Sequence, residues 1–283
     1  MKNRVIKSVC ALFICCAVLL SLCACSFQFL IGAGKNKITY SDYPDTATNP
    51  ELAGVGEKLF ASVTGKERAD FYDRYVPCLN SGEAYKALCD GEADLVIAYA
   101  PSEEDREYIR KSGVGVALSA IGYDALVFIT GEKSGFGSLE KDEVKKIFTN
   151  GRYNKITGFI SPGNRDINAL LKEIAGADVK AAEDKVFLNG ETLKAAEVYG
   201  EKKNTVKAES YLYFETVGSL KYPRSEILAL SSLVPDFENI QNGDYPYVTE
   251  IYAAVREDSE ESSAERMIYN FLRTEQGKEI IRP

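Results

Sequence analysis

Apolar and polar residues alternate along this chain in segments that predict helices and strands in turn. Compact apolar runs at 94–98 and 117–130 are typical of strands. The clearest helical pattern has apolar residues three or four positions apart, at Leu52, Val55, Leu59, Phe60 and Val63. Further strands are predicted at 38–40, 211–217 and 248–255, and further helices at 139–148, at 168–174, within 181–199 and around 267–272. This alternation predicts an α/β fold with a mostly parallel sheet.

Three helix boundaries carry local signals. Asn80-Ser81-Gly82-Glu83 resembles a capping box that opens a helix. Ser102 followed by acidic residues indicates another helix start, because negative side chains favour the positive end of a helix. The helix at 139–148 is expected to stop at Asn150-Gly151.

The N-terminal segment has the pattern of an export signal. Lys2, Arg4 and Lys7 precede an unbroken apolar run of 12 residues at 9–20, shorter than the ~20 residues that span a bilayer as a helix. Leu22-Cys23-Ala24-Cys25 follows and resembles the bacterial lipobox. That resemblance implies a signal peptide at 1–24, lipid on Cys25 and a tether at 25–37. An ordinary signal peptide or a short membrane anchor is the alternative.

Two cysteines remain after this segment, Cys78 and Cys89. In an oxidising compartment they could form a disulfide. They could equally be two buried thiols that act as small apolar side chains.

Charge and composition exclude several functions. The net charge of −8 disfavours nucleic-acid binding, which needs a basic face. The chain has no histidine, which removes the commonest general base and zinc ligand, and no nucleotide-binding motif stands out. No motif brings two of the 42 acidic residues together for glycoside hydrolysis. We therefore expect a protein that is not an enzyme and uses no cofactor or metal.

A series of sequence blocks resembles the phosphate-binding proteins of ABC importers over roughly residues 38–281. The blocks are Tyr43-Pro44-Asp45 with Thr46-Ala47-Thr48-Asn49-Pro50, residues 84–88 and 91–96, Pro101-Ser102-Glu103-Glu104, residues 121–128, 138–151, 243–247, 253–256 and 275–277. Each block is weakly specific alone. Their order and spacing together carry the resemblance.

The resemblance implies a two-lobed periplasmic-binding-protein-like fold of type II, with a ligand cleft between lobes joined by two crossing strands. Lobe 1 would comprise 36–121 plus 218–283, and lobe 2 would comprise 122–217. The implied function is capture of phosphate or a related small oxyanion for an ABC permease, by a lipoprotein on the outer face of the bacterial cytoplasmic membrane. The alternative is a diverged member that acts as a sensor or scaffold at the cell surface.

Three loop-to-helix junctions are candidates for holding the anion, because helix-start amides and hydroxyls bind oxyanions. The first junction supplies Thr46, Ala47 and Thr48, and the second supplies Ser81. Helix capping alone would also explain both junctions.

The third junction departs from the family pattern R-P-x-N-S-G-S/T-Q. The chain has Ser161 in place of the arginine and Arg165-Asp166-Ile167 in place of the Ser-Gly-Ser turn. Asn164, Arg165 and Asn168 are the candidate ligand contacts here, with a surface pair between Arg165 and its neighbouring Asp166 as the alternative for Arg165. Asp166 is expected to place a carboxylate near the site of an oxyanion, where it would repel one.

Overall fold

A computed structural model describes residues 38–132, 134–183, 204–218 and 224–283. The expected signal peptide, the tether and Cys25 lie outside these residues, as does most of the helix expected within 181–199. In the described part of the chain, no helix is both long and apolar enough to cross a bilayer.

The described residues form twelve strands, ten of which belong to one sheet. The strands are β1 (Thr46–Thr48), β2 (Tyr75–Pro77), β3 (Leu95–Tyr99), β4 (Val116–Gly131), β5 (Ser138–Leu139), β6 (Arg152–Tyr153), β7 (Ile156–Ile160), β8 (Ala182–Glu183), β9 (Thr205–Ser210), β10 (Ser225–Ile227), β11 (Ala229–Leu230) and β12 (Val248–Arg256).

Helices lie between many of these strands. The α-helices are α1 (Ala53–Thr64), α2 (Ser81–Asp90), α3 (Glu103–Ser112), α4 (Lys141–Asn150), α5 (Arg165–Ala175), α6 (Phe237–Gln241), α7 (Ala264–Leu272) and α8 (Glu275–Lys278). Shorter helical turns occupy Arg68–Asp73 and Tyr211–Gly218.

The first section of the sheet has the strand order β2-β1-β3-β12-β4. β1 runs parallel to β2 and β3, and β12 runs antiparallel to both β3 and β4. Every residue of β3 is buried, as expected for a strand covered on both faces. The expectation of a mostly parallel sheet is therefore corrected to a mixed sheet, because β12 returns from the C-terminal part of the chain between β3 and β4.

β4 is a continuous strand of 16 residues that belongs to both sections of the sheet. Its beginning pairs with β12, and its end pairs antiparallel with β9 and β10. The register with β12 shifts between Ile251 and Tyr252, so that Ile121 has no opposite residue. A bulge of this kind bends a strand and increases its twist.

The second section of the sheet has the order β4-β9-β7-β6, with β8 beside β7. β9 is buried along its whole length. Helix α4 packs on β7, and α5 packs on β9 and on α4. The buried residues Ile167 and Leu171 hold α5 to the sheet, which fixes where the first turn of α5 points.

Local capping accounts for where α2, α3 and α4 begin or end. Ser102 and Asp105 form the complete capping box of α3. Asn80 caps α2 by accepting from Glu83 N, whereas Glu83 accepts from Leu79 N instead of completing the box expected at 80–83. α4 ends at Gly151, whose φ of 74° favours glycine.

Two expected strands are absent among the described residues. Residues 38–40 enter a turn in which Asp42 N donates to the Thr39 carbonyl at 3.1 Å. Residues 211–217 are helical, because Ser210 ends β9 and its hydroxyl accepts from Tyr213 N at 3.0 Å. This cap and the burial of the aromatic side chains override their strand propensity.

Candidate functional site

Asn49 lies directly after β1 and is completely buried. Its side-chain oxygen accepts a hydrogen bond from Leu52 N at 3.1 Å and so closes the turn that leads into α1. This orients the side-chain amide, which donates from Nδ2 to Asp166 Oδ2 at 2.7 Å. The ligand contacts predicted at this junction, Thr46, Ala47 and Thr48, lie one to three residues earlier in the chain.

The residues predicted at the first junction, Thr46, Ala47 and Thr48, form β1 itself and are completely buried. Thr46 Oγ1 donates to the Pro44 carbonyl at 3.0 Å, and Thr48 Oγ1 donates to the Asn49 carbonyl at 3.4 Å. Ala47 packs in an apolar cluster with residues of α2. Both hydroxyls therefore bond to the main chain in this structure.

Ser81 is the first residue of α2 and is buried. Its backbone N–H, which has no partner within the helix, donates to Asp166 Oδ2 at 2.9 Å. Its hydroxyl donates to the same oxygen at 3.1 Å and accepts from Tyr99 N at 3.0 Å. The second predicted junction thus bonds directly to the third.

Asp166 receives these hydrogen bonds in the first turn of α5. All of them reach one carboxylate oxygen, from Asn49 Nδ2, Ser81 N and Ser81 Oγ. Burial raises the pKa of Asp166, although the hydrogen bonds from Asn49 and Ser81 act in the opposite direction. A helix-start amide together with neutral side-chain donors is an arrangement that binds oxyanions, and here its acceptor is a carboxylate of the same chain.

The other residues predicted at the third junction have different partners. Arg165 is exposed, and its guanidinium lies 3.8 Å from Glu83 rather than pairing with Asp166. Asn168 donates to the Ser161 carbonyl at 2.8 Å and holds the preceding loop onto α5. Asn164 is buried and donates from Nδ2 to Glu209 Oε1.

Glu209 belongs to a buried ion pair on β9. Its Oε2 lies 2.7 Å from Lys207 Nζ, and both side chains are completely buried. Oε1 also accepts from Ser210 N at 3.1 Å. A buried pair of charges offsets its loss of hydration only when further hydrogen bonds are made, as they are here.

Glu51 is 1% exposed, and neither of its carboxyl oxygens has a hydrogen-bond partner among the described residues. Burial, followed by the negative charge of Asp166, raises the pKa of Glu51 well above the usual range of a glutamate. Glu209 and Asp124 add smaller contributions in the same direction. Glu51 therefore lies near the other carboxyls and favours its protonated form.

Asp124 is a fully buried carboxyl on β4 that is well bonded. Its Oδ2 accepts from Tyr99 Oη and Ser210 Oγ, each at 2.7 Å, and its Oδ1 accepts from Leu212 N at 3.0 Å. Burial raises the pKa of Asp124, and the bonds from Tyr99 and Ser210 lower it. This network joins β3, β4 and the end of β9.

The region is therefore rich in acidic groups. Four carboxyls lie in it: Glu51, Asp124, Asp166 and Glu209. Within the described residues, Lys207 is the one cation that bonds to any of these carboxyls. No group of three or more Cys, Asp or Glu in the described ranges is placed to hold a metal ion. Sequence patterns did not single out Glu51, Lys207 or Glu209. Glu51 is a single charge between Pro50 and Leu52, and the mostly polar residues 205–210, which form β9, were not predicted as a strand.

Cys78 and Cys89 are free thiols. They flank most of α2, whose rise of ~1.5 Å per residue holds them farther apart than a disulfide permits. The structure therefore contradicts a disulfide between Cys78 and Cys89. Burial raises the pKa of the Cys78 thiol to about 11.

Comparisons with solved structures find the same fold in phosphate-binding proteins. A Clostridium perfringens protein described as a phosphate ABC transporter substrate-binding protein, with bound phosphate, aligns with a TM-score of 0.59 and 16% identity over 83% of this chain and 95% of that chain. An ABC-type phosphate transport receptor of Vibrio cholerae gives a TM-score of 0.58 and 14% identity, covering 83% and 96%. PstS of Borrelia burgdorferi gives 0.52 and 15%, covering 83% and 94%.

At these identities the likeness establishes the two-lobed periplasmic-binding-protein-like fold and leaves the ligand of this chain open. No curated protein matches the sequence significantly. A family model described as "PBP superfamily domain" matches residues 44–273, which is most of the chain. The chain therefore belongs to the PBP superfamily.

Proposed function

We propose that the protein is an extracytoplasmic solute-binding lipoprotein that captures a small oxyanion for an ABC permease. The anion would lie between a first lobe, 36–121 plus 218–283, and a second lobe, 122–217, with lipid on Cys25 anchoring the chain. The observation that carries this proposal is the convergence of Asn49 Nδ2, Ser81 N and Ser81 Oγ on one carboxylate oxygen. These donors are of the kind that would coordinate an oxygen of a bound anion.

The structural neighbours support the chemical class of the ligand. Phosphate is the bound ligand of the Clostridium perfringens protein and the transported solute of the Vibrio cholerae receptor. Phosphate is therefore the first ligand to test, followed by smaller and less highly charged oxyanions. The neutral donors and acidic surroundings of this site favour an anion of low charge, because each added negative charge is repelled by Asp166 and its neighbours.

A second candidate function is a diverged member that acts as a sensor or scaffold and no longer takes up phosphate. The observation that favours it is the Asp166 carboxylate, which already occupies the donors. Arg165 also faces Glu83 rather than these donors, so it adds no positive charge to them.

Isothermal titration calorimetry of the purified chain with phosphate, sulfate, formate and acetate would test solute capture. We expect heat of binding with at least one of these anions, and a loss of on the order of 1–3 kcal/mol of binding free energy in Ser81→Ala, which removes one hydroxyl donor. Ser262→Ala, at an exposed serine far along the chain, is the matched control and should bind as the wild type does. Absence of heat with every anion would leave the sensor or scaffold function.

A further inference from the structure

Asp166 links parts of the chain that are far apart in sequence. Its carboxylate bonds to residues 85 and 117 positions earlier, on the other side of the β4 crossing. We propose that Asp166 is a built-in ligand: its carboxylate holds the cleft closed without solute, and the external ligand is a small singly charged oxyanion, such as a carboxylate, that replaces it. This inference rests on the proposed function, since it specifies how that site is filled and by which class of anion.

The hydrogen-bond geometry supports this role. The donors are one backbone N–H, one side-chain amide and one hydroxyl, at 2.9, 2.7 and 3.1 Å from Asp166 Oδ2. A carboxylate oxygen has few further acceptor positions once three donors point at it. While Asp166 is bound, these donors have little capacity for an external anion, so solute and side chain must compete.

The fixed positions of the donors support a ligand rather than an incidental contact. Asn49 is held by its bond from Leu52 N, and the Ser81 hydroxyl is held by its bond from Tyr99 N. Both donor groups are therefore oriented by bonds within their own part of the sheet. They would keep this orientation if α5 moved away, as a preformed binding site does.

The charges around the site favour displacement over joint occupancy. The Arg165 guanidinium faces the half-buried Glu83, and Lys207 is bonded to Glu209. An anion bound beside Asp166 would therefore place a second negative charge next to the Asp166 carboxylate. Among the described residues, no cation is bonded to Asp166 to offset this repulsion. Two like charges at ~4 Å repel strongly even with surface-like screening. A singly charged anion that takes the place of Asp166 leaves the net charge at the donors unchanged, whereas a doubly charged one does not.

Glu51 makes the closed arrangement reversible. Its carboxyl is buried close to Asp166 and has no hydrogen-bond partner in the described part of the chain, which is an unfavourable state for a polar group. Separation of α5 from Asn49 and Ser81 would give water access to this carboxyl. The hydrogen bonds of Asp166 thus offset the unfavourable burial of Glu51 in the closed state. The balance between open and closed forms therefore depends on these hydrogen bonds.

The test compares Asp166→Ala with wild type and with Asp178→Ala, in the full chain. Asp178 lies just beyond the C-terminal end of α5 and forms an exposed ion pair with Lys172 of that helix. This control therefore removes a carboxylate from the same region without changing the site. Small-angle X-ray scattering in buffer without added anion should give a larger radius of gyration for Asp166→Ala alone. Formate or acetate should then raise the melting temperature of this variant in a saturable way and restore the smaller radius, at concentrations at least tenfold lower than those that stabilise the other two proteins.

Three outcomes separate this inference from the proposed function. Rescue of Asp166→Ala by formate or acetate, with no solute bound by the wild type, supports the built-in ligand and removes solute capture. Phosphate binding that is equally tight in wild type and Asp166→Ala, with unchanged radius, overturns the built-in ligand and leaves solute capture standing. An unchanged radius with no gain of anion binding overturns it as well.

A second variant keeps the test decisive if Asp166→Ala folds poorly. Asp166→Asn keeps the size of the side chain and one oxygen acceptor, but it removes the negative charge. We expect it to close the cleft less completely than the wild type and to bind formate at least tenfold more tightly. Equal formate affinity in Asp166→Asn and wild type contradicts the inference.

Discussion

At the residue scale, the positions of individual carboxyl groups determine the electrostatics of the site. Asp166 is stabilised by donors from two other segments, whereas Glu51 is buried near it and has no hydrogen-bond partner within the described ranges. The sequence alone allowed the expectation that Asp166 would lie near an anion site, because the family pattern aligns a glycine turn there. It gave no sign of Glu51, since burial of a single acidic residue between Pro50 and Leu52 depends on packing from distant segments.

Replacement of Glu51 by glutamine should make the protein more stable than wild type at neutral pH, with a difference that grows as pH rises. The pKa of Glu51 is raised by burial, so its stabilising effect is complete below the pKa of an unfolded glutamate and is lost as pH rises through the raised folded-state pKa. Glu51→Gln cannot ionise and avoids this loss. Urea unfolding from pH 4 to pH 8 measures the difference.

The control for that series is Glu260→Gln, at an exposed glutamate. It should follow the wild-type dependence on pH throughout. A Glu51→Gln variant whose stability runs parallel to wild type over the whole range would show that Glu51 is not held in a protonated form.

At the element scale, short polar signals predicted helix starts well and strand identity less well. Ser102 and Asn80 cap α3 and α2 as expected, because capping depends on neighbours within three residues. Residues 211–217 were predicted as a strand from their aromatic and β-branched content, yet they are helical. Their state is set by the local Ser210 cap, which the strand prediction overlooked, and by the Asp124 carboxyl, 88 positions earlier, which accepts from Leu212 N.

The buried pair on β9 gives an element-scale prediction. Lys207→Met should reduce the free energy of unfolding by about 3–5 kcal/mol, because it leaves the Glu209 charge buried without its closest cation. The double variant Lys207→Met with Glu209→Gln should recover part of this loss, since the buried charge of Glu209 is then removed as well. Urea denaturation of the three proteins measures both steps.

The matched control for this pair is Lys172→Met, which breaks the exposed pair with Asp178. Exposed pairs contribute little, so its unfolding curve should nearly overlay that of wild type. A Lys207→Met variant as stable as the control would mean that Glu209 is adequately solvated or bonded without Lys207.

At the scale of the whole molecule, the order of the sequence blocks was more informative than any one of them. It led to the two-lobed fold that the family match over 44–273 supports. The mixed character of the sheet could not be read from the strands themselves, because the position of β12 between β3 and β4 depends on a return of the C-terminal chain. Ligand contact at the first junction stays a prediction for Thr46, Ala47 and Thr48, which form β1, and the two threonine hydroxyls bond to the main chain.

Membrane attachment is a property of the whole chain, and it is proposed to depend on Cys25. Cys25→Ser should move the protein from the membrane fraction to the soluble fraction of cells, because acyl chains contribute ~0.8 kcal/mol of membrane binding per buried methylene. Cys23→Ser is the control, as it leaves Leu22, Ala24 and Cys25 in place. Fractionation followed by mass spectrometry of the N-terminal peptide measures both location and acylation. A Cys25→Ser protein that stays with membranes would indicate another means of attachment.

Because β4 is a single strand shared by both parts of the sheet, the two parts cannot slide past each other without breaking ladder bonds on either side of the crossing. Twisting about the strand is the cheaper motion, and it would concentrate near Ile121, where the register with β12 is interrupted. A relative rotation of the two parts of the sheet would then be mainly a twist of β4. In the proposed function, a membrane partner that touches both parts could detect solute binding from this twist, without contacting the solute.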